Sequence, residues 1–304
     1  MKRCIITVEG GLGKSVMLTA ILPELRKKYD ELYVISPYFD VFKACSFVTD
    51  AFPFGQGTLY QELVLDPDTD VLWKEPYSNQ KFIKKECHLF EAWAEEFGIK
   101  LPKEGMNYVP NIDILTEAYP DIAEIANKKI EELGKYIIVQ FSGGQSPLGL
   151  IPDANGNLPP YNAQIEPIKR NYQKAQKLVD LLRKEYPDHK ILHFGLPNEP
   201  TYNGAEKIEV PYLTYILLAN SADKIVCTDS SLQHLATGHC RDITVIWGET
   251  RPEHFGYSCN KNICAKKVLN SQPYFKPLGV SPSIVHFPEP EEILKVVKGT
   301  KQKD

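Results

Sequence analysis

The sequence predicts an α/β protein made of two Rossmann-like halves, and three observations carry that prediction. The chain opens as strand, glycine turn, helix and strand, with Cys4–Val8, Glu9-Gly10-Gly11-Leu12-Gly13, Lys14–Lys28 and Leu32–Ser36 in that order. In mid-chain a strong apolar run, Tyr136–Phe141, ends in the small residues Ser142-Gly143-Gly144-Gln145-Ser146 and restarts the pattern. The stretch Lys224–Trp247 then reads as strand, polar turn, short helix and strand, a βαβ unit. At 304 residues the chain exceeds one typical core and suits two α/β domains of about 150 residues each. The expected division is 1–134, 135–287, and a C-terminal helix with a basic tail over 288–304 that packs back toward the first half.

In the first half, Val16, Ala20, Leu22 and Leu25 recur at helical spacing, and Arg26, Lys27 and Lys28 lie near the end, where cations suit the helix dipole. Pro23 should kink this helix or start a new turn. Ser78–Phe97 reads as one helix with Phe82, Leu89, Phe90 and Trp93 on its apolar face. Phe54–Trp73 yields no strand, and residues 39–115 as a whole carry no assigned role. Pro120–Leu133 is a helix with Gly134 in the C-cap position. In the second half, Pro147–Pro160 is an irregular loop rich in Gly, Pro, Asn and Asp. Lys169–Tyr186 forms an amphipathic helix, with Tyr172, Ala175, Leu178, Val179 and Leu182 facing inward. A strand, Lys190–Phe194, and a helix, Leu213–Ala219, follow, and acids after Pro288 begin the last helix.

Composition narrows the function classes. A 43% hydrophobic and 24% charged chain is globular rather than disordered or coiled-coil. The net charge of −4 exerts no overall pull on nucleic acid or anionic membrane, and the scattered lysine runs read as solvated faces. Seven cysteines without a framework point to free thiols in a reducing compartment, hence a cytoplasmic location. Cys259, Cys264 and His254 lack the second half of a metal pattern, so no metal is expected. No apolar stretch approaches the roughly 18 residues that span a bilayer.

In open α/β sheets ligands gather at the carboxyl ends of strands, where helix N–H groups attract anions. Asp229, Ser230 and Ser231 fall at such an end, with His234 one turn later; the plainer account is a helix N-cap beside a partly buried histidine. The turn Glu9-Gly10-Gly11-Leu12-Gly13-Lys14-Ser15 invites a phosphate-loop reading, and a P-loop ATPase or switch stays open as an alternative. Val8, however, stands where a Walker A glycine belongs, and Glu9 would repel phosphate.

The second half runs through Lys169-Arg170 and the helix beginning there, the strand Lys190–Gly195, and the run Asp229-Ser230-Ser231-Leu232-Gln233-His234-Leu235-Ala236. In this order it resembles family 9 glycosyltransferases, the heptosyltransferase-like enzymes. Trp247-Gly248-Glu249-Thr250-Arg251-Pro252 then stands for the family's glycine-containing turn. The opening loop is similar too, keeping Gly13 and Thr19, but Lys14 replaces the family's proposed catalytic aspartate. The resemblance implies a GT-B fold of two Rossmann-like domains facing each other across a cleft, with metal-independent, inverting transfer from a nucleotide-diphosphate sugar. It implies a donor site of Ser142, Gly143, Gly144, Lys169, Arg170, Asp229, Ser230, Ser231 and His234, and an acceptor side at Gly11, Leu12 and Gly13. With the aspartate absent, Glu9 is the first candidate base, with Lys14 as a cation for phosphate or an acceptor anion; a structural Glu9 paired to Lys14 stays open beside this. The acceptor implied is a surface glycan or lipid-linked saccharide, with a DNA base open beside it. A non-catalytic relative that binds sugar nucleotides is the further alternative.

Overall fold

The structure is a computed structural model, and it describes residues 1–55, 58–102, 109–112, 118–143, 170–195, 199–237, 242–271 and 284–299. The chain divides into two compact units, one on Met1–Ala123 and one on Glu124–Gln272 with the C-terminal helix. The expected boundary at 134/135 lies at the end of the Pro120–Leu133 helix, whereas the division falls near that helix's start.

The first unit is a parallel sheet of β1 (Arg3–Thr7), β2 (Glu31–Ile35), β3 (Asp50–Phe52) and β4 (Thr69–Trp73), in the order β3-β2-β1-β4. Cys4, Ile5 and Ile6 are buried on both faces of β1, as the central strand of a parallel sheet requires. β4 was illegible in the sequence because its Asp70 and Trp73 are exposed at the sheet edge, so no continuous apolar run marks it. Pro23 does interrupt the first helix: Leu12–Thr19 ends, and Leu22–Arg26 starts with Pro23 in its first turn. The expected helix Ser78–Phe97 is instead a 3₁₀ turn, Pro76–Ser78, and two short helices, Gln80–Ile83 and Leu89–Glu96. Local caps divide it. Asn79 accepts from Lys81 and Phe82 N–H groups, Lys85 takes φ +63°, and His88 with Glu91 closes a capping box. The apolar face itself holds, since Phe82, Leu89, Phe90 and Trp93 are fully buried.

The second unit is a parallel sheet ordered β10-β9-β8-β5-β6-β7. Its strands are β5 (Tyr136–Gln140), β6 (Lys190–Phe194), β7 (Glu206–Ile208), β8 (Lys224–Thr228), β9 (Ile243–Trp247) and β10 (Lys261–Cys264). Numbered from β5, this is the Rossmann order 3-2-1-4-5-6. The helix Ala175–Glu185 buries Leu178, Val179 and Leu182 against β5 and β6 residues Ile137, Val139 and Ile191. The last helix, Pro290–Lys298, corrects the expectation for 288–304. Ile293 and Val297 enter the second unit's core, and Glu289 and Glu291 pair with Lys174 and Lys177. The helix is amphipathic, and the apolar seam it fits belongs to Ala175–Glu185 rather than to the first unit. β11 (Lys267–Leu269) and β12 (Ile284–His286) form a separate antiparallel pair. Among the described residues no helix is long and apolar enough to cross a membrane.

Candidate functional site

Each sheet has a switch point, where consecutive strands leave a central strand on opposite sides and open a crevice beyond their carboxyl ends. In the first unit it lies between β1 and β4, in the second between β5 and β8. Both are occupied by polar residues.

At the second switch point, β8 ends in Thr228 and the chain turns at Asp229 and Ser230 into the helix Ser231–Ala236. Gly143, just beyond β5, packs so closely that a Cβ there would meet the Asp229 carbonyl oxygen at 2.2 Å. Only glycine fits. Asp229 is buried; its Oδ1 accepts from Gln233 Nε2 at 2.7 Å, and its Oδ2 faces Arg170 Nη1 at 3.5 Å. Side-chain exposure is 3% for Asp229 and 33% for Arg170, so the guanidinium is the open member of the pair. Arg170 also lies over the Phe255 ring, 5.9 Å from its centroid. Ser230 occupies the N-cap position, yet its hydroxyl donates to Gln140 Oε1 across the sheet at 2.5 Å instead of capping the helix. Ser230 thus holds the N-cap position without a side-chain cap hydrogen bond, and its hydroxyl ties the turn to the end of the neighbouring strand.

His234 is 5% exposed, with Nδ1 2.7 Å from the Tyr257 hydroxyl. Burial lowers its pKa to about 4, with Arg170 adding to the fall and Asp229 opposing it. The imidazole is thereby neutral at pH 7 and acts as a hydrogen-bonding group rather than as a cation. Thr228 Oγ1, Asp229 Oδ2, Gln233 Oε1 and Thr250 Oγ1 are buried without a hydrogen-bond partner among the described residues. Such atoms are rare in folded proteins, and of these Asp229 Oδ2 keeps its ion pair with Arg170. Ser142 is buried beside Gly143, and Ser231 is partly buried at the helix start. Gly144 and Lys169 lie outside the described residues.

At the first switch point the glycine turn is shorter than expected, since Leu12 and Gly13 already belong to the helix. Gly10 takes φ +99°, and the Lys14 side chain folds back to lie 3.3 Å from where its Cβ would be. Lys14 Nζ donates to Glu75 Oε2 at 2.6 Å; exposure is 3% for the lysine side chain and 49% for the glutamate. The ammonium also lies 5.2 Å from the Tyr77 ring centroid and 5.5 Å from that of Trp93. Glu75 Oε1 accepts the Tyr77 N–H at 3.1 Å. Glu9 is exposed, so the carboxylate beside Lys14 is Glu75, not Glu9. Thr19 is buried, donating to Val16 O and accepting from Asn111 N.

Sequence reading missed Gln140, Gln233, Tyr257 and Glu75. Gln140 had a signal, a polar residue closing an apolar strand; Glu75 had none, because β4 itself was unassigned. Cys264 lies on β10, and among the described residues no group of three or more His, Cys, Asp or Glu could hold a metal ion.

Comparison with solved structures places the fold. A glycosyl transferase family 9 protein from Veillonella parvula superposes with TM-score 0.59 at 13% identity, over 86% of this chain and 85% of that one. The dodecameric iron-containing heptosyltransferase TibC of enterotoxigenic E. coli, solved with ADP-D-β-D-heptose, gives 0.54 at 13%, over 85% of this chain and 61% of TibC. A UDP-GlcNAc 2-epimerase from Methanocaldococcus jannaschii gives 0.50 at 13%, over 100% and 93%. No protein-family model matches the sequence, and no curated protein matches it. The chain thus has the GT-B type of fold, two Rossmann-like units, and the resemblance to family 9 holds at the level of that fold.

Proposed function

We propose that the chain is a glycosyltransferase that moves a sugar from a nucleotide-diphosphate donor, held at the second switch point, to an acceptor hydroxyl. One observation carries this reading: the Gly143 backbone pressed against Asp229, beside a half-open Arg170 guanidinium, at the switch point of a Rossmann-ordered sheet. The missing Cβ lets the turn after β5 pack against the Asp229 backbone beside Arg170, and a guanidinium fork matches phosphate oxygens in two parallel hydrogen bonds. Neutral His234, held by Tyr257, adds a hydrogen bond without adding charge. The leaving diphosphate is thereby neutralised by Arg170 and, as the family resemblance implies, by Lys169. The reaction is read as inverting and metal-independent, with the acceptor, a glycan or lipid-linked saccharide, on the first unit.

Calorimetric binding of ADP, UDP, GDP, CDP and ATP, each with Mg²⁺ and with EDTA, tests the proposal. The expected result is diphosphate binding that survives EDTA, weakens in Arg170→Ala and His234→Ala, and is unchanged in Lys14→Ala. Binding confined to ATP with Mg²⁺ and lost in Lys14→Ala would restore the P-loop alternative. Product analysis on the matching nucleotide sugar completes the test: transfer supports the proposal, isomerisation with the nucleotide retained assigns an epimerase, and binding without turnover assigns a non-catalytic relative.

A further inference from the structure

Inverting transfer needs a group that takes the acceptor's proton as its oxygen attacks. Lys14 does not serve, because a protonated ammonium hydrogen-bonded to a carboxylate has donors and no free lone pair. Glu9 is exposed on the loop, with the buried Lys14 turned to another carboxylate. Glu75 is placed differently. It lies two residues beyond β4, so it faces the β1 glycine turn across the first switch point. One oxygen is held by Lys14 at 2.6 Å and the other by the Tyr77 N–H at 3.1 Å, while 49% of the side chain stays open. A carboxylate has about four lone-pair sites, so two remain for a hydroxyl. Lys14 is itself fixed by the Tyr77 and Trp93 rings and by its contact with Gly10. The result is a carboxylate held on a rigid support and presented to solvent.

We propose that Glu75, oriented by Lys14, is the general base of the transfer reaction. This rests on the glycosyltransferase reading above. The acceptor oxygen bonds to the anomeric carbon, and the bond from that carbon to the phosphate oxygen breaks, leaving its electron pair on the nucleoside diphosphate. The hydroxyl proton passes to the Glu75 carboxylate. Lys14 acts only through Glu75 and is a positioning residue.

The test measures nucleoside diphosphate release from ADP-, UDP-, GDP- and CDP-sugars by the full chain, alongside calorimetric binding of the released diphosphate. Glu75→Gln is expected to lower kcat about 100-fold or more while leaving the diphosphate Kd within about twofold. Lys14→Met is expected to lower kcat roughly tenfold at unchanged KM, the signature of lost positioning rather than lost binding. The double variant Lys14→Met/Glu75→Gln removes the buried charge with its partner, so it folds, and its kcat matches that of Glu75→Gln. Glu75→Gln retaining roughly half of the wild-type kcat, or Glu9→Gln producing the loss instead, would overturn the assignment. Wild-type protein that neither binds nor releases any diphosphate overturns the glycosyltransferase reading itself, and the base falls with it.

Discussion

The two switch points hold the same kind of ion pair with its burial reversed. In the first unit the cation is inside and the carboxylate outside, Lys14 at 3% exposure against Glu75 at 49%. In the second the carboxylate is inside and the cation outside, Asp229 at 3% against Arg170 at 33%. In each pair the buried charge is tolerable only because a partner meets it, and the open partner is the one that solvent reaches. The first unit therefore presents an acceptor of hydrogen bonds, suited to hydroxyls, and the second a forked cation, suited to phosphate. That contrast distinguishes the two halves more clearly than their shared α/β architecture does.

The largest test of the contrast is steric. Gly143→Ala drives a methyl into the Asp229 carbonyl at 2.2 Å and is expected to cost about 3 kcal/mol in urea unfolding and to abolish diphosphate binding. Gly11→Ala at the other turn meets nothing within 4 Å and is expected to stay within about 0.5 kcal/mol of wild type.

Acid should separate the units next. Burial lowers both His193 and His234 to about 4, and both belong to the second unit. Their folded pKa lies below the ordinary value of about 6.5, so the unfolded chain binds more protons and stability falls as pH drops from 6.5 to 4. The loss approaches roughly 3 kcal/mol per histidine at the acid end. Unfolding midpoints at pH 7 and pH 4.5, with near-UV signals from each unit, should show the second unit weakening first. The His193→Leu variant should flatten that profile.

A smaller effect reads the reversed burial directly. Glu75→Ala strands the buried Lys14 ammonium and should cost about 2 kcal/mol, whereas Lys14→Met leaves Glu75 to water and should cost under about 1 kcal/mol. Thermal unfolding of the two variants settles the order; equal losses would mean that the pair is solvated as a whole. The smallest effect concerns ligand shape. Arg170→Lys keeps the charge but loses the fork, and diphosphate Kd should rise about tenfold with little change in stability.

Much of the second site was legible in the sequence. Asp229, Ser230, Ser231 and His234 lie on one turn and one short helix, so spacing alone set them together, and Gly143 ended a strand that its apolar run announced. Gln140 and Tyr257 were not legible as partners, because a hydrogen bond between strands, or between a helix and a distant loop, has no local pattern. At the first site the open alternative of a Glu9–Lys14 pair is replaced by a Glu75–Lys14 pair. Glu9 is near Lys14 in the chain, but Glu75, sixty-one positions away, is near it in space. The helix Ser78–Phe97 failed for a related reason: its apolar period was sound, and the caps at Asn79 and His88 outweighed it.

The sequence by itself determined the alternation of strand and helix, the glycine turns, the buried faces and the resemblance that named the fold, since these depend on residues within a few positions of one another. Only the tertiary structure decided which charges meet. The edge strand β4 carries Glu75 to Lys14, the order β5-β8 sets Gln140 beside Ser230, and the fit of Ile293 and Val297 binds the last helix to the second unit. Those contacts join segments far apart in the chain, and what selects them is the pairing of strands and the burial of surface, neither of which any local stretch of sequence records.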